Sequence, residues 1–129
     1  MQVDLHANAV ADIRALQRSD VKAAAAVLVA LGEIEADPQV IDKLTTHGNN
    51  EVGRNRINVK AWQNARSNSQ NLWRLRILDT PATSYRVVYG YYLATRQIVV
   101  LAVVHKEDMT YDDLTSDLSR RILADWRAI

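Results

Sequence analysis

The stretch LWRLRILDTPATSYRVVYGYYLATRQIVVLAVV, residues 72–104, decides the fold. In LWRLRIL, Trp73, Leu75 and Ile77 alternate with Arg74 and Arg76, the period of a strand with one buried face. Asp79-Thr80-Pro81 reads as a turn. In SYRVVYGYY, Tyr85, Val87, Tyr89 and Tyr91 share one face, opposite Arg86 and Val88. After a turn at Ala94–Gln97, IVVLAVV at 98–104 shows no alternation and reads as a central strand covered on both sides. Short turns between consecutive strands predict an antiparallel meander.

Outward from the meander, ANAVADIRALQ at 7–17 places Val10, Ile13, Leu16 and Gln17 at helical spacing. Ser19 or Asp20 can cap a second helix over about 20–36, which Asp37-Pro38 ends. The pair predicts a helical hairpin. On the C-terminal side, Leu114, Leu118, Ile122 and Trp126 fall at four-residue steps of an amphipathic helix with acidic residues at its start. Residues 45–71 hold seven asparagines and two glycines and read as a long polar insert, with a helical turn or more around Ile57–Ala65. The expectation is one α+β domain over 1–129: an N-terminal helical hairpin, an antiparallel three- to four-stranded sheet and a C-terminal helix.

Charge is unevenly spread. The net value is +1, yet residues 43–106 carry ten basic and two acidic side chains, while both flanks are acidic. Screening makes that local excess matter more than the distant sum, so the basic middle suits a polyanion. Without cysteine, disulfide frameworks and thiolate metal sites are excluded, and a reducing compartment fits. MQVDLHANAV lacks the start of a secretory signal, and AAAAVLVAL at 23–31 is about half the length that spans a bilayer. A cytoplasmic protein without membrane association is expected.

In order along the chain, LWRLRI, SYRVVY and IVVLAVVHKEDMTY resemble the RelE/ParE superfamily of bacterial toxins, in particular its RelE-like branch. The resemblance is best over residues 72–111 and extends weakly to the helical hairpin and DPQVIDKL. It implies a toxin of a toxin–antitoxin system. Such a toxin is a metal-independent endoribonuclease that cleaves ribosome-bound mRNA, inhibits translation and arrests growth. It uses the RNA's own 2′-hydroxyl as nucleophile, needs no cofactor, and is neutralised by a cognate antitoxin. By position, the family's basic pair falls at Arg74 and Arg76, its phosphate-gripping arginine at Arg86, its basic residue after the last strand at Lys106 beside His105, and its tyrosine at Tyr111 with a one-residue shift.

These residue types suit the chemistry. Attack on phosphorus builds charge on the equatorial oxygens, which fixed guanidinium groups stabilise. Arg74 and Arg76 stand where the family often has lysine, and arginine is a poor base. Proton transfer is therefore open to His105, Lys106 or Tyr111, and to His47 if the insert folds over; Tyr111 also suits base stacking. Arg54, Arg56 and Lys60 in the insert are candidate RNA contacts. The scattered histidines give a metal site little support. Two other readings fit the same fold: a ParE-like inhibitor that binds DNA gyrase without chemistry, and a toxin-fold protein that has lost activity.

Overall fold

The computed structural model describes residues 3–67 and 69–129. Met1, Gln2 and Asn68, which fall in the leader reading and the asparagine-rich segment, lie outside them. The architecture is α+β. The three strands of the decisive stretch form as β4 (Leu72–Ile77), β5 (Tyr85–Tyr92) and β6 (Gln97–His105), paired antiparallel in sequence order.

The sheet is larger than expected. It has six strands in the order β1-β6-β5-β4-β3-β2 and is mixed. On one edge β1 (Val3–Leu5) runs parallel to β6, and His6 N–H donates to Val100 O at 2.8 Å. A three-residue strand is too short to show a period, so parallel pairing with β6 defines it. On the other edge β2 (Gly48–Val52) and β3 (Asn55–Ala61) form a hairpin that adds to β4. The insert at 45–71 is thus mostly sheet. A short helix, α4 (Gln63–Ser67), follows β3, where the helical turn was expected to begin earlier. Ile57 and Val59 are fully buried and alternate with Arg56, Asn58 and Lys60, which is strand period within a polar composition.

The β2–β3 turn is Gly53-Arg54, between the paired Val52 and Asn55. Gly53 has φ 59°, a left-handed conformation that suits glycine at the first central position of a two-residue hairpin loop. Glu33 of α2 (Val21–Ala36) holds this turn, accepting from Arg54 N at 2.8 Å and Asn55 Nδ2 at 2.7 Å.

The helices divide at Asp20, which ends α1 (Ala7–Ser19) and caps α2 by accepting from Ala23 N at 3.1 Å. Together with α3 (Val40–Leu44) they cover one face of the sheet. There Ile13, Leu16, Val27 and Ile34 join Leu75, Ile77, Val87 and Tyr89 in one core. Tyr89 is buried, and its hydroxyl donates to Leu44 O at 2.6 Å. The opposite face carries α5 (Asp117–Arg127), capped by Ser116. Ile122, Leu123 and Trp126 pack with Val88, Val99, Ala102 and Val104. Gly90 makes room for that helix: a Cβ there would stand 2.4 Å from the Trp126 ring.

Where β1 ends, side chains take over the edge of β6. Asp12 of α1 accepts from Val103 N at 3.0 Å and pairs with Arg121 of α5 through both carboxylate oxygens. Arg121 also donates to Leu101 O at 3.2 Å. Arg121 thus ties α5 to α1 and the sheet.

Candidate functional site

Register decides which face each arginine takes. Arg74 is paired with Val88 and Leu75 with Val87 across β4 and β5. Directly opposed residues share a face, so Arg74, Arg76, Arg86 and Val88 all project away from α1 and α2. One step along the ladder, Arg76 and Arg86 are cross-strand neighbours. On the other side of β4, Arg74 is opposite Lys60 and Arg76 is opposite Asn58. The three guanidinium groups therefore converge on one face.

Their partners are few and uncharged. Arg74 Nη1 donates to Asn58 Oδ1 at 3.4 Å, and Arg86 Nη1 to Thr83 O at 3.0 Å and Tyr85 O at 3.1 Å. Arg76 Nε is buried and meets no hydrogen-bond acceptor. Among the described residues, the ion-paired carboxylates are Asp12, Asp37, Asp79 and Asp125, and none of them pairs with these three arginines. Burial, first of all, lowers the pKa of Arg74; the Arg86 and Arg76 charges add to this, and Tyr111 opposes it. Burial likewise lowers Arg86, with Arg76 adding and Tyr111 opposing. Both guanidiniums remain charged at ordinary pH. Like charges are thus held together without a counter-charge, an arrangement that an oxyanion relieves.

Tyr111 completes the cluster. Its main-chain carbonyl accepts from Trp62 Nε1 at 2.8 Å and Asn64 Nδ2 at 3.3 Å, and its ring stands edge-on to Trp62 at 5.6 Å. The end of β3 and the start of α4 therefore set its position. Its hydroxyl is buried and finds no protein partner. Burial pushes the phenol up to about 12, against the pull of Arg74 and Arg86. A cavity of about 230 Å³ opens beside it, lined by Arg74, Tyr111, Trp62 and Lys60 among others.

His105 does not belong to this site. It is paired with Tyr85, stands edge-on to that ring at 5.2 Å, and accepts from Glu107 N at 3.2 Å through Nδ1. Tyr85 packs on the helical side of the sheet. The cause is a bulge: Val88 pairs with Ala102 but Tyr89 with Val100, so Leu101 is the extra residue. Beyond it the alternation of β6 is reversed, and His105 turns from the arginine face to the helical one. The same reversal aligns Lys106 with Val104 and Arg86. Lys106 N–H still donates to Ser84 O at 2.8 Å, and its side chain is exposed at the rim.

The other candidates separate. Arg56 is paired with Asp79 at 2.7 Å, and Arg54 sits at the hairpin tip with its N–H on Glu33. Lys60 borders the cavity and has no ion-pair or hydrogen-bond partner among the described residues. His47 accepts from Ala61 N at 2.9 Å through Nε2 and leans on Trp73, its ring centre 5.3 Å away. Among the described residues, no group of three or more His, Cys, Asp or Glu side chains is placed to hold a metal ion. Asn58, Trp62 and Asn64 are site residues that the sequence did not single out. For Asn58 the signal was there, in the alternation of RINVKA; for Trp62 and Asn64 there was none. No family model, curated protein or solved structure matches the chain.

Proposed function

We propose that the protein is a toxin-type endoribonuclease that cleaves ribosome-bound mRNA without a metal, the activity implied by the resemblance of its strands to RelE-like toxins. The observation that carries this reading is the convergence of Arg74, Arg76 and Arg86, unpaired with any acid, beside the buried Tyr111 hydroxyl. In this reading the α1–α2 layer, the β4–β6 meander and α5 are the RelE-like core, and β2–β3 is an addition to it.

The chemistry follows from the groups present. The 2′-oxygen attacks phosphorus and loses its proton, the bond to the 5′-oxygen breaks, and a cyclic phosphate and a 5′-hydroxyl result. The arginines hold the non-bridging oxygens as charge builds there. Tyr111, pushed up to about 12, keeps its proton at neutral pH. It therefore serves as donor to the leaving oxygen and not as base. With His105 on the other face and His47 accepting from Ala61 N, the 2′-proton passes to solvent, and Lys106 at the rim adds a positive charge beside the phosphate. A cognate antitoxin covering this face would silence it, and the ribosome would present the mRNA in the cytoplasm.

The test is translation of a defined mRNA in vitro. Ribosome-dependent cuts with wild-type protein, abolished by Arg86→Ala, are expected. Intact mRNA would defeat the proposal, and intact mRNA with DNA supercoiling inhibited would put a gyrase inhibitor in its place.

A further inference from the structure

The arginine cluster does not end at β4. Asn49 on β2 is paired with Asn58 on β3, and Asn58 with Arg76 on β4, so an unbroken row of polar side chains crosses the face to the sheet edge. The row is linked: Asn58 Nδ2 donates to Asn49 Oδ1 at 2.8 Å, while Asn58 Oδ1 accepts from Arg74. Lys60, opposite Arg74, borders two concavities. One is the cavity of about 230 Å³ that it shares with Arg74, Tyr111 and Trp62. The other, about 450 Å³, lies where β2 stops short of the end of β3, and is lined by Asn58, Gln63, His47 and Gly48. Among the described residues, Lys60 is a cation without an ion-pair partner that borders both.

We propose that the β2–β3 hairpin and the start of α4 extend the site into a track for single-stranded RNA, with Lys60 contacting the phosphate between two successive nucleotide positions. This rests on the ribonuclease reading above. Arg86 and Lys60 lie two strands apart, roughly 10 Å at the usual spacing of about 4.8 Å per strand. A strand with several phosphates can engage both at once through different phosphates. The asparagine amides offer donors and acceptors to backbone and base edges, and the half-buried Tyr111 ring, backed by the buried Trp62, offers a surface to a base. A single strand is the occupant because two separate concavities flank Lys60, which suits splayed nucleotides rather than a paired helix.

The experiment measures binding of a fluorescent, 2′-O-methylated nonanucleotide by anisotropy across a salt series; blocking the nucleophile prevents cleavage. Lys60→Ala should weaken binding by up to about fivefold, the size of an exposed ion pair. It should also flatten the dependence of log affinity on log salt by about 0.7, one single-strand phosphate contact. Lys60→Arg should restore both. A purely structural role would leave the salt slope unchanged. If Lys60→Ala matches wild type in affinity and slope while Arg86→Ala weakens binding, the track is wrong and the ribonuclease reading stands. If wild type does not bind the oligonucleotide, the track falls, and the ribosome-dependent cleavage test decides the ribonuclease reading separately.

Discussion

Tyr111→Phe should make the protein more stable and less active. The hydroxyl it removes is buried and has no protein partner, while the features that position the residue survive: the edge contact with Trp62 and the main-chain bonds from Trp62 and Asn64. A hydroxyl buried without a partner costs about 1–3 kcal/mol in mutational series. The residue is only half-buried, so the gain should lie at the lower end, about 1 kcal/mol, or about 3–5 °C in Tm for a chain of this size. Cleavage should fall by roughly 10²-fold or more if the hydroxyl is the proton donor. The pH dependence supplies a separate check. Folding raises this phenol from 10.0 to about 12, so the folded state holds the proton more tightly than the unfolded one. Its contribution is full below pH 10 and is lost as pH climbs through 12. Phenylalanine has no such loss, so the variant's advantage should widen over that window. Thermal melts at neutral and alkaline pH, with single-turnover cleavage, decide the matter. A less stable variant at neutral pH would mean that the hydroxyl is satisfied in the native state. Cleavage at the full rate would remove Tyr111 from the chemistry.

Inorganic phosphate should stabilise wild type, and raise its Tm, more than chloride at matched ionic strength, the stabilisation approaching about 2.7 kcal/mol when phosphate is at a hundred times its Kd. Arg86→Ala should melt cooperatively and lose most of that response; an equal response would place phosphate elsewhere. His105→Ala should leave the cleavage rate within about twofold of wild type, because that ring faces Tyr85 and the helices; general acid–base catalysis would contribute about 10²-fold or more, so a large fall in single-turnover rate would refute its exclusion. Gly90→Ala should cost about 1–3 kcal/mol, since its Cβ would meet Trp126 and displace α5. Denaturant midpoints at constant m-value measure that cost, and an unchanged midpoint would mean that α5 is loosely seated.

The site was legible in part, and the missing parts have physical causes. Once LWRLRI is read as a strand, period-two spacing places Arg74 and Arg76 on one face. That Arg86 joins them depends on the β4–β5 register, which the link from Asp79 to Ser84 does not announce. The β2–β3 hairpin was readable from Ile57 and Val59, but asparagine-rich flanks masked a strand whose outer face is polar. His105 could not be placed from the sequence. IVVLAVV is apolar throughout, so nothing in it marks Leu101 as the bulged residue, and one extra residue inverts every side chain that follows. β1 is too short to carry a pattern of its own.

The same cover of the sheet explains why a nearly neutral chain can present a strongly basic surface. The helical layer of α1, α2 and α3 takes one face, and the acidic N-terminal third lies largely in it. On the other face α5 packs with Leu72 and the apolar outward positions of β5 and β6, while the other outward positions of β3 and β4 are Arg56, Asn58, Lys60, Arg74 and Arg76. Where the apolar positions stop, the helix stops covering, and the cations stand at that step, with Tyr111 descending from the chain that leads into α5. Partial burial against the step lowers the dielectric around Arg74 and Arg86, which raises the cost of their mutual repulsion and, for the same reason, the gain from an anion placed between them. Extending α5's apolar contact across β4, by Arg74→Leu with Arg76→Leu, should therefore relieve the repulsion and remove the phosphate response together, whereas a site that owed its affinity to net charge alone would keep much of that response through Arg86, Lys60 and Lys106.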